Sequence, residues 1–191
     1  ETDITDQELY DKIIKRYENR KNNEKLFFMG ITMQNHGGYT ETYDNFPENY
    51  YKVGRSYTDA NQYLSLVHES DEAVKNLISY FSKVDDPVEI IFFGDHQPSL
   101  NSNFYPILNG KGLTGLTEDE LEKLYTVPFF IWTNYDTPEE TVDITSLDYL
   151  STMALERAGI ELPAYNKFLA DMQEVVPAIN SRGYYSKSKG C

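Results

Sequence analysis

Three nearly unbroken apolar runs constrain this chain more than any other feature: Leu26–Met33, Val88–Phe93 and Val127–Trp132. Each has the length of a strand and lacks strict apolar–polar alternation, which is the pattern of strands buried on both faces. Helical periodicity fills the segments around them. Thr5 and Glu8 have capping-box spacing ahead of Leu9, Ile13 and Ile14. A long helix follows from Thr58, carried by Leu64, Val67, Ala73, Val74, Leu77, Ile78 and Phe81, and Asp85-Asp86-Pro87 stops it. Thr117 and Glu120 cap a short helix through Leu124, and two more helices fall near 146–158 and 164–174, with Gly159 as C-cap of the first. Residues 99–115, rich in Asn, Gly and Pro, read as loop. Strands alternating with helices predict an α/β class, a mostly parallel sheet flanked by helices. The expected organisation is one incomplete domain over 1–179 and a flexible polar tail over 180–191.

Charge excludes some partners. The chain has 17 basic and 31 acidic residues, a net −14, so it offers no basic surface for nucleic acid and repels anionic lipid. No apolar run approaches the ~20 residues needed to cross a bilayer, and no signal peptide is evident behind the Glu1-Thr2 start. The sole cysteine, Cys191, is the last residue, which excludes an intrachain disulfide and a Cys-based zinc site.

Chemistry gathers where two of the runs end. In open α/β sheets the ligand crevice lies beyond the carboxyl ends of the strands. His36 follows the first run by three residues, and Asp95-His96 follows the second, behind Gly94. Gly94 is expected to permit a sharp turn there. An Asp oxygen beside a His nitrogen suits a divalent cation, yet two ligands do not complete a site. The same pair admits a structural reading, Asp95 capping a turn and His96 bonding a loop carbonyl, and His36 is equally readable as an exposed loop histidine. His68, inside the long helix, is given no role. Arg55, in the Gly54-Arg55-Ser56 turn, is a candidate phosphate contact. Tyrosines such as Tyr39, Tyr43, Tyr50, Tyr51 and Tyr57 can stack on sugar or glycerol units, or simply pack. No nucleophile declares itself: there is no Gly-x-Ser-x-Gly elbow and no phosphate-cradling loop.

The segments "LFFMGITMQNHGGY", "IIFFGDHQP" and "VPFFIWTNYD" together resemble the lipoteichoic acid synthase-like sulfatase family of the alkaline phosphatase superfamily. Helix and tail segments such as "YLSLVHESDEAV", "SLDYLSTMALERAGI" and "YNKFLADMQEVVPAINSRGYY" extend the resemblance over nearly the whole chain, as the C-terminal part of a catalytic domain. The resemblance implies that Asp95 and His96 are metal ligands and that His36 contacts the phosphate or glycerol group of the substrate. Ser99 is a near match to a family serine that follows the Asp-His pair, although Gln97-Pro98 departs from the better-known pattern. It also implies a divalent metal, Mn²⁺ preferred with Zn²⁺ or Mg²⁺ as alternatives, held weakly or not at all by this piece. The family's metal-binding glutamate and threonine nucleophile have no counterpart here, so no catalytic nucleophile is assigned.

The expectation is therefore part of an extracellular, metal-dependent phosphoglycerol transferase or sulfatase-like enzyme of cell-wall polymer synthesis, inactive by itself. Its expected partners are a glycerophosphate-containing lipid or polymer and the missing N-terminal half of the same domain. The parent would sit at the extracellular face of the plasma membrane, with this piece soluble and inclined to self-associate through an exposed edge. A non-catalytic module binding anionic cell-wall polymer through His36, Arg55 and tyrosines is the alternative. A small complete metallohydrolase, with Glu41, Asp44 or Asp59 finishing the metal shell, is a third reading.

Overall fold

The structure, a computed structural model, describes residues 4–40, 57–180 and 183–186. The chain divides into two compact units: residues 1–83 with 94–128, and residues 84–93 with 129–191.

The first unit is organised by two helices. α1, Asp6–Glu18, begins with the expected capping box, in which Thr5 Oγ1 accepts from Glu8 N and the Glu8 carboxylate accepts from Thr5 N. α2, Thr58–Phe81, buries Leu66, Ser70, Ala73, Val74, Leu77 and Phe81 along one stripe. Asp6 meets Ser70, and twelve residues on Glu18 meets Tyr80, so the helices run side by side in the same direction. Tyr17 packs edge-on against Phe81, ring centroids 5.2 Å apart. Parallel neighbours demand a return crossing, and the first apolar run lies on the connecting segment. Residues 26–33 form no ladder with any described residue. Gly30 rests against Leu9 and Ile13 of α1, while Phe27, Met29, Ile31 and Met33 are all exposed. The expected first strand is thus absent as a paired strand. No neighbouring backbone among the described residues takes its N–H and C=O groups. This unit also holds α3, Tyr105–Asn109, within the stretch read as loop, and α4, Glu118–Glu122, with its predicted capping box at Thr117.

The second unit contains the other two runs as β1, Glu89–Phe93, and β2, Phe129–Thr133. They pair antiparallel in the register Glu89↔Thr133 through Phe93↔Phe129, which corrects the expected parallel pairing. Apolar strands of this length specify burial, not direction. Phe92 and Phe130 stack at 5.4 Å across the ladder, a pair worth about 1 kcal/mol beyond burial. Asn134 holds the far end: its Oδ1 accepts from Val88 N, and its Nδ2 donates to the carbonyls of Val84 and Asp86. α5, Leu150–Arg157, and α6, Ala164–Val175, pack together and bury Leu150, Ala154 and Leu169. Their buried polar atoms are matched, Asn166 Nδ2 donating to Thr152 Oγ1 and Tyr149 Oη to Val176 O. Within the stretch read as tail, β4, Tyr184–Tyr185, pairs with β3, Ala178–Ile179. No helix among the described residues is long and apolar enough to cross a membrane.

Candidate functional site

The Asp95-His96 turn follows β1 directly and is stitched to residues 126–128. Gly94 N donates to Pro128 O at 3.2 Å, and Gln97 Nε2 donates to Thr126 O. A Cβ on Gly94 would meet Val127 Cβ at 3.1 Å and Cγ1 at 3.3 Å, whereas its φ is not left-handed. Glycine is therefore favoured here by the close approach of Val127 rather than by a left-handed turn.

Both side chains of the pair are exposed. Asp95 Oδ1 accepts from His96 N at 2.9 Å, and His96 Nδ1 lies 2.9 Å from Gln97 O. These are the contacts of the structural reading, but they leave the other two atoms free to do chemistry. A carbonyl oxygen can only accept, so Nδ1 carries the proton and Nε2 is turned toward Asp95 Oδ2, 3.5 Å away. In the neutral ring Nε2 is then the lone-pair nitrogen, and a cation between it and the carboxylate oxygen would be bound by both. Two donors of one tetrahedral ion with ~2.1 Å bonds stand about 3.4 Å apart. A ring whose second nitrogen donates to a carbonyl is also the usual state of a metal-binding histidine. No third His, Cys, Asp or Glu joins them among the described residues. The pair fits two positions of a divalent site, not a whole one.

His36 sits exposed on a loop that is pinned on either side. Its N–H donates to Met33 O, closing a turn at the end of the apolar run. Before it, the side chain of Gln34 is buried: Oε1 accepts from Asp6 N, and Nε2 donates to Leu66 O and Ser70 Oγ. Asn35 Nδ2 donates to the same Ser70 hydroxyl at 2.8 Å, and that hydroxyl donates to Asp6 Oδ2 at 2.6 Å. After it, Tyr39 is buried, donates its hydroxyl to Asn35 O at 2.7 Å and packs edge-on against Tyr63. Gly38 and Tyr39 take left-handed φ values of 115° and 30°, easy for glycine and strained for tyrosine. Burial pushes the Tyr39 phenol up to about 12, with smaller pushes from Tyr63 and from the charge of Asp95.

Ser99 is exposed, on a strand of loop whose flanking residues Pro98 and Leu100 both touch the Tyr105 hydroxyl. Asp59 is occupied structurally: Oδ1 accepts from Ala60 N and Oδ2 from Asn101 N. Asp59 thus tethers the 99–103 loop to the start of α2 and brings no third ligand to Asp95 and His96. Arg55, Glu41, Asp44 and the tyrosines at 43, 50 and 51 lie outside the described residues. Sequence reasoning missed Asp6, Gln34 and Ser70. The signal was present, since Ser70 stands on the apolar stripe of α2 between Leu66 and Ala73, where a hydroxyl needs a buried partner.

The chain is 28% identical over 178 residues to a Rhizobium meliloti protein assigned to cyclic beta-1,2-glucan modification, a match covering 89% of this chain and 27% of that protein. It is 32% identical over 99 residues to the capsular polysaccharide biosynthesis protein RkpI of the same organism, covering 52% of this chain and 17% of the relative. The chain thus spans about a quarter or less of the curated relatives it matches. Among solved structures it resembles the Streptococcus pyogenes phosphoglycerol transferase GacH in complex with sn-glycerol-1-phosphate. That match has a TM-score of 0.68 at 19% identity and covers 93% of this chain and 43% of that one, a likeness of fold. The Sulfatase family model matches residues 2–160; the chain belongs to the sulfatase family, with the alkaline phosphatase-like fold that goes with it.

Proposed function

We propose that this chain is the part of a cell-surface polymer-modifying transferase that holds one side of a divalent-cation site and presents His36 to a phosphoglycerol group. The observation that carries the reading is the convergence of Asp95 Oδ2 and His96 Nε2 to 3.5 Å, with Nδ1 committed to Gln97 O. The relatives' association with glucan and capsular polysaccharide, and the phosphoglycerol transferase fold, support the substrate class. A bound divalent cation supplies positive charge to phosphoryl oxygens. Asp95 and His96 would hold it, with Mn²⁺ the preferred ion, and Gln97 O keeps the His96 ring in one tautomer. His36 donates a hydrogen bond to the phosphate or the glycerol oxygen, with Ser99 and Arg55 as further contacts. The remaining ligands and the nucleophile belong to the larger part of the family fold that this chain does not span.

Calorimetric titration of Mn²⁺ and Zn²⁺ into the chain and into Asp95→Ala and His96→Ala tests this. Weak single-site binding, lost in both variants, is expected, together with no turnover of a glycerophosphodiester analogue. Binding indifferent to both substitutions overturns the metal reading. Tight one-to-one binding with turnover abolished by Asp95→Ala would show instead that the chain completes its own active site. Glycerol phosphate binding that survives chelation and Asp95→Ala would favour a non-catalytic polymer-binding module.

A further inference from the structure

The Ser70 hydroxyl is the junction of three separate pieces of the first unit. It donates to Asp6 Oδ2 at the start of α1, and it accepts from Gln34 Nε2 and Asn35 Nδ2 immediately before His36. A hydroxyl offers one proton and two lone pairs, so all its capacity is used. Gln34 is equally committed, with its amide protons on Leu66 O and Ser70 and its oxygen on Asp6 N. Ser70, Gln34 and Asp6 are all buried, at 6%, 4% and 2% exposure, so water cannot replace a lost partner cheaply. His36 itself is exposed, and among the described residues its one bond is the main-chain bond to Met33. Nothing in its own side chain fixes where it stands, and the direction of the loop is set by Asn35 on one side and Tyr39 on the other.

We propose that Ser70 is a positioning residue for His36: through Asn35 and Gln34 it fixes the loop that presents the imidazole to the phosphate-bearing substrate. The role rests on the phosphoglycerol reading above, but the geometry of the junction does not. Two oxygens at the junction, Asp6 Oδ1 and Asn35 Oδ1, are buried without a hydrogen-bond partner among the described residues.

The test compares Ser70→Ala and Asn35→Ala with Leu77→Ala, which opens the α2 core two turns from the loop, and with His36→Ala. Two readouts are followed on the full chain in the presence of diamagnetic Mg²⁺: the His36 ring signals in ¹H–¹³C spectra, and the affinity for sn-glycerol-1-phosphate. Ser70→Ala and Asn35→Ala should shift or broaden the His36 signals and weaken the probe by about five-fold, approaching His36→Ala. Leu77→Ala should lower the melting temperature and leave both readouts near wild type. If Ser70→Ala does not fold, Asn35→Ala, which leaves α2 intact, carries the comparison. His36 signals unmoved in the folded variants overturn the proposal. Probe binding unaffected by His36→Ala overturns the phosphoglycerol reading instead, and the ring signals still decide whether Ser70 positions the loop.

Discussion

Asp6 is a carboxylate placed where a carboxylate is costly. Burial raises its pKa above the ordinary range, opposed by the Ser70 hydroxyl and the main chain at Gln34. The native chain therefore keeps the proton over a range in which the unfolded chain, with an Asp pKa of about 3.9, has lost it. Stability from this residue is greatest below the unfolded value and declines as pH rises through the raised folded value. Asp6→Asn keeps an oxygen for Ser70 Oγ and places an amide where Oδ1 lacks a partner. The urea midpoint of Asp6→Asn relative to wild type should therefore rise between pH 4 and pH 7, and a falling difference would contradict the assignment. At this scale the sequence was legible where a residue carries its own chemistry. Asp95 and His96 stand out as a pair of potential ligands in any context. Gly94 was singled out for the wrong reason, because its constraint comes from Val127, thirty-three positions away. Ser70 escaped notice because a lone serine states no partner.

Secondary structure was most legible where local chemistry fixes an end. Both capping boxes appear as read, at Thr5 and at Thr117. Gly159 closes α5 with φ 66°, with Gly159 N bonded to Glu156 O and Ile160 N to Leu155 O, the pair of bonds that defines a Schellman ending. Nothing lies within 4 Å of a Cβ built on Gly159, so Gly159→Ala would meet only backbone strain. It should lower unfolding free energy by about 1 kcal/mol, measured by urea denaturation, and an unchanged midpoint would mean the helix end has shifted. Pairing direction was not legible. β1 and β2 are separated by a 35-residue excursion, and neither their apolarity nor that length says which way the second strand returns. α3 was hidden for a different reason: it is five residues long and begins Tyr105-Pro106 inside a stretch dense in loop formers.

For the molecule as a whole, an apolar pattern encodes a demand for cover and not the surface that supplies it. Leu26–Met33 shows this: Phe27, Met29 and Ile31 are 88%, 69% and 71% exposed, beside a backbone that pairs with no strand among the described residues. Such a segment invites pairing with another copy. Light scattering should show association that grows with concentration and is reduced in Met29→Lys/Ile31→Lys, and a wild-type chain that stays monomeric when concentrated would refute it. The Asp6–Ser70 bond spans 64 positions and Gln34–Ser70 spans 36. Contacts of that reach form only after the intervening chain has paid its loop-closure entropy. The helices can form on local signals, but the His36 loop can settle only once both are docked side by side. Recognition geometry is therefore the last thing this chain acquires as it folds and the first it forfeits as it loosens, so ligand binding should report damage well before helical content does.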